Sequence, residues 1–194
     1  MIADTLHAYF QSLVEVSRAI EITDGVGVAL SVEEGARRAV DVVANVGSGK
    51  VMLIGNGGSS AIASHVHNDL CKSVGVRAMV FTETPLLTAT SNDESYSVAF
   101  ERGVALWADP ADVLVAISSS GNSQNIIRAV RAATERRCRT ITLSGFNPAN
   151  RLRGMGEVNF YVPSDVYGYV ESTHMALAHF LTDACVRTKR LALA

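Results

Sequence analysis

The sequence predicts an α/β protein: a three-layer α/β/α sandwich on a parallel five-stranded sheet, preceded by two N-terminal helices. Three observations carry this prediction. Short apolar runs recur from Lys50 onward: VMLIG at 51–55, AMVF at 78–81, VLVAIS at 113–118, TITLSG at 140–145 and VNFYVP at 158–163. Most hold their apolar residues in a row rather than in alternation, the mark of strands buried on both faces. Helical stretches separate the runs, and strands that alternate with helices close into a parallel sheet covered on both sides. The chain has 194 residues, enough for one compact domain and short for two.

The elements follow in order. Leu6, Tyr9, Phe10, Leu13, Val14, Val16 and Ile20 recur at helical spacing, so the first helix is expected over roughly the first 22 residues. A second begins at Ser31, where Ser31-x-x-Glu34 forms a capping box, and is expected to reach about Val46. These helices (1–48) are expected to pack against a partner subunit. The α/β core takes 49–194 and closes with a helix from about Gly168 to Leu191. No linker or repeat divides the chain, which reads as a single domain, 1–194.

Composition excludes several function classes. Nineteen acidic and 17 basic residues leave a net charge of −2, so a basic nucleic-acid binder is ruled out. With 48% hydrophobic and 19% charged residues, the chain is not disordered, and so low a charge suggests a surface partly covered by another subunit. Cys71, Cys138 and Cys185 are odd in number and far apart, and read as reduced, mostly buried thiols rather than a disulfide framework or zinc knuckle. No apolar run approaches the ~20 residues of a membrane span. A cytoplasmic protein without membrane contact is expected, and no targeting segment is read at the start.

Two strand ends are chemically unusual. The first strand runs into Gly55-Asn56-Gly57-Gly58-Ser59-Ser60, and the third into Ser118-Ser119-Ser120-Gly121-Asn122-Ser123, each leading into a helix. Glycine lets backbone approach an anion, the helix end offers unpaired N–H groups, and serine adds hydroxyl donors. Together they suit a phosphate ester without any Lys or Arg. One such turn could be an ordinary strand–helix turn with a serine cap. Two on one sheet edge point to a binding site. Neither is a nucleotide loop: the first lacks the Lys-Ser/Thr of a Walker A sequence, and Ser60 stands where GxGxxG needs its last glycine.

GNGGSS, His65, SNDES, ISSSGNSQNIIRAVRAA and ESTHMALAH resemble a sugar isomerase (SIS) domain, a flavodoxin-like fold, over nearly the whole chain. The resemblance is to the phosphoheptose isomerases. It implies conversion of D-sedoheptulose 7-phosphate to D-glycero-D-manno-heptose 7-phosphate in a homotetramer with sites between subunits. It also implies no organic cofactor, and zinc or a similar divalent metal in some members. By family position, Ser59, Ser118, Ser119, Ser120 and Ser123 would hold the phosphate on the Gly57-Gly58 backbone. Asn56 and the Asn92-Asp93 pair would contact the sugar chain. The family's His-x-x-x-Glu, whose Glu is the base, is matched here by His65-x-x-x-Asp69. Its Gln and the acid His eight residues later are matched by Glu171 and His179. Asp69 is thus one methylene short of the family residue, and Glu171 adds a carboxylate. Ser73, beside Lys72, replaces an arginine, and Gly168 an aspartate.

The residues themselves fit that chemistry. Aldose–ketose isomerisation moves a proton between neighbouring carbons and another between their oxygens, which takes a base, a donor and a group polarising the carbonyl. His65 and Asp69, at i and i+4, share a helix face, a spacing that also serves a divalent metal. Glu171 and His179 lie about 80° apart around a helix and ~12 Å along it, so they meet one metal only at full stretch. The resemblance, with the i, i+4 spacing of His65 and Asp69, gives His65, Asp69, Glu171 and His179 as the metal set, with Asp69 or Glu171 as base and His179 as acid. His174, on the same apolar helix, reads as a packed residue. Tyr167 and Tyr169 either rim the pocket or staple the start of the helix. Two alternatives stay open: isomerisation of another ketose or aldose phosphate, and a non-catalytic phosphosugar sensor or adaptor.

Overall fold

A computed structural model describes residues 3–192. Helix α1 (Leu6–Arg18) leads into strands β1 (Glu21–Asp24) and β2 (Ala29–Leu30), then α2 (Val32–Ala44). The core continues with β3 (Val51–Gly55), α3 (Gly58–Asp69), a π-helical turn (Leu70–Val74), β4 (Ala78–Val80), α4 (Thr84–Asp93) and α5 (Ala99–Trp107). It ends with β5 (Val113–Ser118), α6 (Gln124–Glu135), β6 (Arg139–Ser144), β7 (Val158–Tyr161) and α7 (Tyr167–Ala192).

The three layers are as expected, but the described residues form seven strands, in the order β2-β1-β7-β6-β5-β3-β4. The five expected strands pair in parallel. The two extra strands come from a segment assigned partly to the first helix. That helix stops at Arg18, and Glu21–Asp24 pairs antiparallel with β7, from Glu21↔Tyr161 to Asp24↔Val158. A local device makes the turn: the Asp24 carboxylate accepts the N–H groups of Val26 and Val28 at 3.0 and 2.9 Å. Asn159 fastens the hairpin from within, donating to the Asp24 carbonyl at 3.1 Å while accepting from Thr142 and the Gly156 N–H, both at 2.7 Å.

Alternate residues of the central strands build two cores. Val51, Leu53, Val113, Val115, Ile117, Ile141 and Leu143 face α2, α3 and α7. Met52, Ile54, Leu114 and Ala116 face α5 and α6. At about 25 cal/mol per Å² of apolar surface removed from water, these two layers supply most of the driving force for folding. Helix α1 stands apart from both, with no buried residue. It meets α7 through the Tyr9 and Tyr169 rings, 4.7 Å between centroids and tilted 47° to each other, and a Ser17–Thr173 hydroxyl pair at 3.0 Å. Its Leu6, Phe10 and Val14, at i, i+4 and i+8, stay 70%, 57% and 48% exposed, an apolar stripe that none of the described residues covers.

The cysteines are free thiols, but the expectation that most are buried fails: Cys71 is exposed on the π-helical turn, Cys138 is half-buried, and Cys185 alone is buried. At the amino ends of β3 and β5, buried Asp112 accepts both the backbone N–H and the ammonium of Lys50, at 2.8 and 2.5 Å, and locks the two strands together. No described helix is long and apolar enough to cross a membrane.

His174 is fully buried, and its Nε2–H donates to the Ser144 carbonyl at 3.1 Å. Burial lowers its pKa to about 4, so the ring is neutral and serves packing. The folded value lies below the unfolded one, so the neutral ring's contribution is complete above pH ~6.5 and is lost as pH falls toward about 4. The unfolding free energy from urea titration should therefore fall over that window by on the order of 3 kcal/mol from this ring alone. His174→Gln should flatten the slope. An unchanged slope would assign the acid sensitivity to other groups.

Candidate active site

The parallel register of β3 and β5, from Val51↔Val113 to Gly55↔Ile117, brings their carboxyl ends side by side. From β3 the chain goes outward to β4, then returns on the other side to β5, so this is the switch point where an open sheet leaves a crevice. Both serine turns open into it.

The turns are tied to each other. Asn56, in the first, and Asn125, in the first turn of α6, exchange amide hydrogen bonds at 3.0 and 2.8 Å. Tyr96 donates to the same Asn56 oxygen at 2.7 Å. Asn56 was expected to contact the sugar; its side-chain amide joins the two loops, and the residue also lines the crevice. In the second turn Gly121 has φ +62°, and a Cβ there would lie 1.9 Å from Asn150 Oδ1, so only glycine fits both the backbone and the space. Asn125, Tyr96 and Asn150 were not singled out from the sequence. Asn125 lies inside the SGNSQN string and was legible there; Tyr96 and Asn150 carry no local signal.

The crevice holds a cavity of about 230 Å³ lined by Asn56, Gly57, Gly58, Ser59, Ser118, Ser119, Ser120, Ser123, Tyr167 and Glu171. No Lys or Arg is among them. The amino ends of α3 and α6 point into it, adding N–H donors and partial positive charge. Ser119 Oγ is buried without a hydrogen-bond partner, as expected of a donor kept for a ligand. Glu171 closes the opposite wall, so near Gly58 that a Cβ on that residue would lie 2.4 Å from both carboxylate oxygens. Tyr167 rims the cavity, whereas Tyr169 is buried against Tyr9. At Gly168, where the resemblance has an aspartate, a Cβ would lie 2.4 Å from the Tyr9 hydroxyl, so α1 occupies that space.

A second group stands further along the α3–α7 seam. The Asp69 carboxylate lies 3.3 Å from His65 Nε2 and 3.6 Å from His179 Nδ1, with the two imidazole rings edge-on at 4.9 Å. Asp69 ends α3 just before the π-helical turn, and Leu70 and Val74 of that turn anchor it in the core. Both histidines are about half exposed and Asp69 is 21% exposed, so the group opens to solvent on one side. One ligand atom from each residue can lie within 4.8 Å of the others, and two imidazoles with a carboxylate suit a divalent metal such as zinc.

Two sets of expected residues are not brought to these places. Glu171 is absent from the His65–Asp69–His179 group, because eight residues of α7 set it ~12 Å from His179, in the serine cavity instead. Asn92 and Asp93 lie at the end of α4, exposed and bonded to each other at 2.9 Å, away from the cavity lining.

The SIS domain matches residues 8–145, which gives the class. The phosphoheptose isomerase of Thiobacillus denitrificans is 35% identical over 161 residues, covering 79% of this chain and 81% of the relative. Among solved structures, the phosphoheptose isomerase of Neisseria gonorrhoeae has a TM-score of 0.81 at 28% identity, covering 93% of this chain and 97% of that one. One from Francisella tularensis, at 24% identity and TM-score 0.81, has the same fold over 95% of this chain and 97% of that one. The chain belongs to the phosphoheptose isomerase family of SIS-domain proteins, and with it to the aldose–ketose isomerases.

Ser119→Ala separates binding from folding. Removing an unpaired buried hydroxyl should leave stability within about 0.5 kcal/mol or raise it, while calorimetry should find inorganic phosphate bound several-fold more weakly. A stability loss above about 1 kcal/mol with unchanged phosphate affinity would show that the hydroxyl is satisfied inside the fold.

Proposed function

We propose that this protein interconverts D-sedoheptulose 7-phosphate and D-glycero-D-manno-heptose 7-phosphate through an enediol, with the whole chain, 1–194, working as one unit in the cytoplasm. The observation that carries the reading is a carboxylate held between two imidazoles on the same helix pair that walls a cationless, serine-lined cavity. The serine hydroxyls and the amino ends of α3 and α6 bind the phosphate. Asp69 takes the proton from the carbon beside the carbonyl, leaving the enediol, and returns it to the neighbouring carbon. His179 moves the second proton between the two oxygens, work suited to an imidazole, whose two nitrogens can donate and accept. His65 braces the carboxylate. In a metal-bound form His65, Asp69 and His179 would hold a divalent ion such as zinc, which would supply Lewis-acid polarisation of the carbonyl in place of proton transfer by Asp69 and His179. Glu171, in the cavity wall, is the competing base.

The ~12 Å of α7 between Glu171 in the cavity wall and His179 in the acid–base group supports sites shared between subunits, one chain's cavity facing another's group. The uncovered stripe of Leu6, Phe10 and Val14 supports the same reading, as a contact surface of a homotetramer.

Proton–deuterium exchange beside the carbonyl, followed by NMR with sedoheptulose 7-phosphate and a panel of other ketose phosphates, tests chemistry and substrate together. Exchange with another sugar only would change the substrate, and binding without exchange would make the protein a sensor. Asp69→Asn and His179→Ala should each lower kcat at least about a hundredfold, the scale of general acid–base catalysis. Near-normal turnover in Asp69→Asn, with loss in Glu171→Gln, would move the base to α7. If chelator reduces activity, His65→Ala should lose bound metal and rate together; a rate indifferent to chelator would make the site metal-free.

Light scattering of an active preparation should give a multiple of the chain mass. Activity in a population of single chains would end the shared-site reading.

A further inference from the structure

Phe146, just past the end of β6, has φ +57°, a left-handed backbone that a large side chain seldom adopts. Two bonds hold it there: its N–H donates to the Ser164 carbonyl at 2.9 Å, and its carbonyl accepts from the Tyr161 hydroxyl at 2.8 Å. Arg137, the other such residue described, lies in the α6–β6 turn at the opposite edge of the sheet. Strain of this kind persists where the surroundings impose it, and it gathers at ligand sites.

The enforced turn places the Phe146 ring edge-on to Tyr167, 4.8 Å between centroids at 84°. Tyr167 lines the cavity although it is 60% exposed, one helical turn before Glu171. The chain supplies no hydrogen-bond partner for its phenol among the described residues. The loops offer donors suited to phosphate, and Glu171 offers an acceptor. An uncharged ring adds little for phosphate, but its face suits the C–H surface of a carbon chain and its phenol a sugar hydroxyl.

We propose that Tyr167 is a specificity-determining residue that reads the polyol chain next to the phosphate, and that Phe146 is its positioning residue. This deepens the isomerase reading and rests on it.

The test compares the intact protein with Tyr167→Ala and Phe146→Asn, the latter because asparagine tolerates the left-handed backbone. Three quantities are read: KM and kcat for sedoheptulose 7-phosphate, competitive inhibition by inorganic phosphate, and Tm. Tyr167→Ala should raise KM about tenfold, with kcat within about threefold and phosphate inhibition within about twofold. Phe146→Asn should raise KM in the same direction without lowering Tm. Equal weakening of sugar phosphate and inorganic phosphate would overturn the proposal, since Tyr167 would then act on the phosphate. So would an unchanged KM in Tyr167→Ala, or a lowered Tm with unchanged KM in Phe146→Asn. If the unaltered protein binds sedoheptulose 7-phosphate without turning it over, the isomerase reading fails by itself. Calorimetric affinities for the sugar phosphate and for inorganic phosphate then decide the role of Tyr167.

Discussion

The in-register pairing of β3 with β5 is the constraint from which the site follows. Parallel neighbours place their carboxyl ends together, and the reversal of strand order between them sends α3 to one face of the sheet and α6 to the other. Two helix amino ends therefore converge on one crevice from opposite layers. The Lys50–Asp112 pair holds this register at the amino ends of the strands, and the Asn56–Asn125 exchange holds it at the carboxyl ends. A slip of one residue would turn Leu53 and Val115 to the wrong core and separate the serine turns.

What was legible in the sequence is what local physics determines. Strands buried on both faces must be apolar throughout, so VMLIG and VLVAIS announce themselves, as does the Ser31 cap of α2, whose hydroxyl accepts the Glu34 N–H at 3.2 Å. The second half of that capping box does not form, because the Glu34 carboxylate turns to Arg37 and Arg38. The β1–β2 hairpin was not legible. Its strands have four and two residues, too short to show a period, and Ile20 happens to continue the rhythm of α1. The pairing of Glu21–Asp24 with β7 joins residues more than 130 positions apart, and no local window contains it.

The site divides along the same line. The serine turns are contiguous strings with their own chemistry and could be read directly. The approach of Asp69 to His179 depends on how α3 lies along α7, and the position of Glu171 depends on Gly58 having no side chain. Helical geometry did indicate that Glu171 and His179 would meet one metal only at full stretch, and the structure keeps them apart. Asn92 and Asp93 came from resemblance alone, with no chemistry of their own to place them at the cavity.

The absence of Lys and Arg from the serine cavity has a consequence for the solution behaviour of the protein. A cationic site draws anions through a field that salt screens over roughly 8 Å at physiological ionic strength. Here the chain is slightly negative, Glu171 is in the cavity wall, and the donors are hydroxyls and helix ends that act only at contact. For the phosphate site proposed above, capture would depend on fit rather than on long-range attraction, and affinity for a sugar phosphate would change little between dilute buffer and concentrated salt. Nucleoside triphosphates and polyphosphates, which gain most from a cationic funnel, would gain nothing comparable here, so such a site would select against multiply charged phosphates by lacking positive charge.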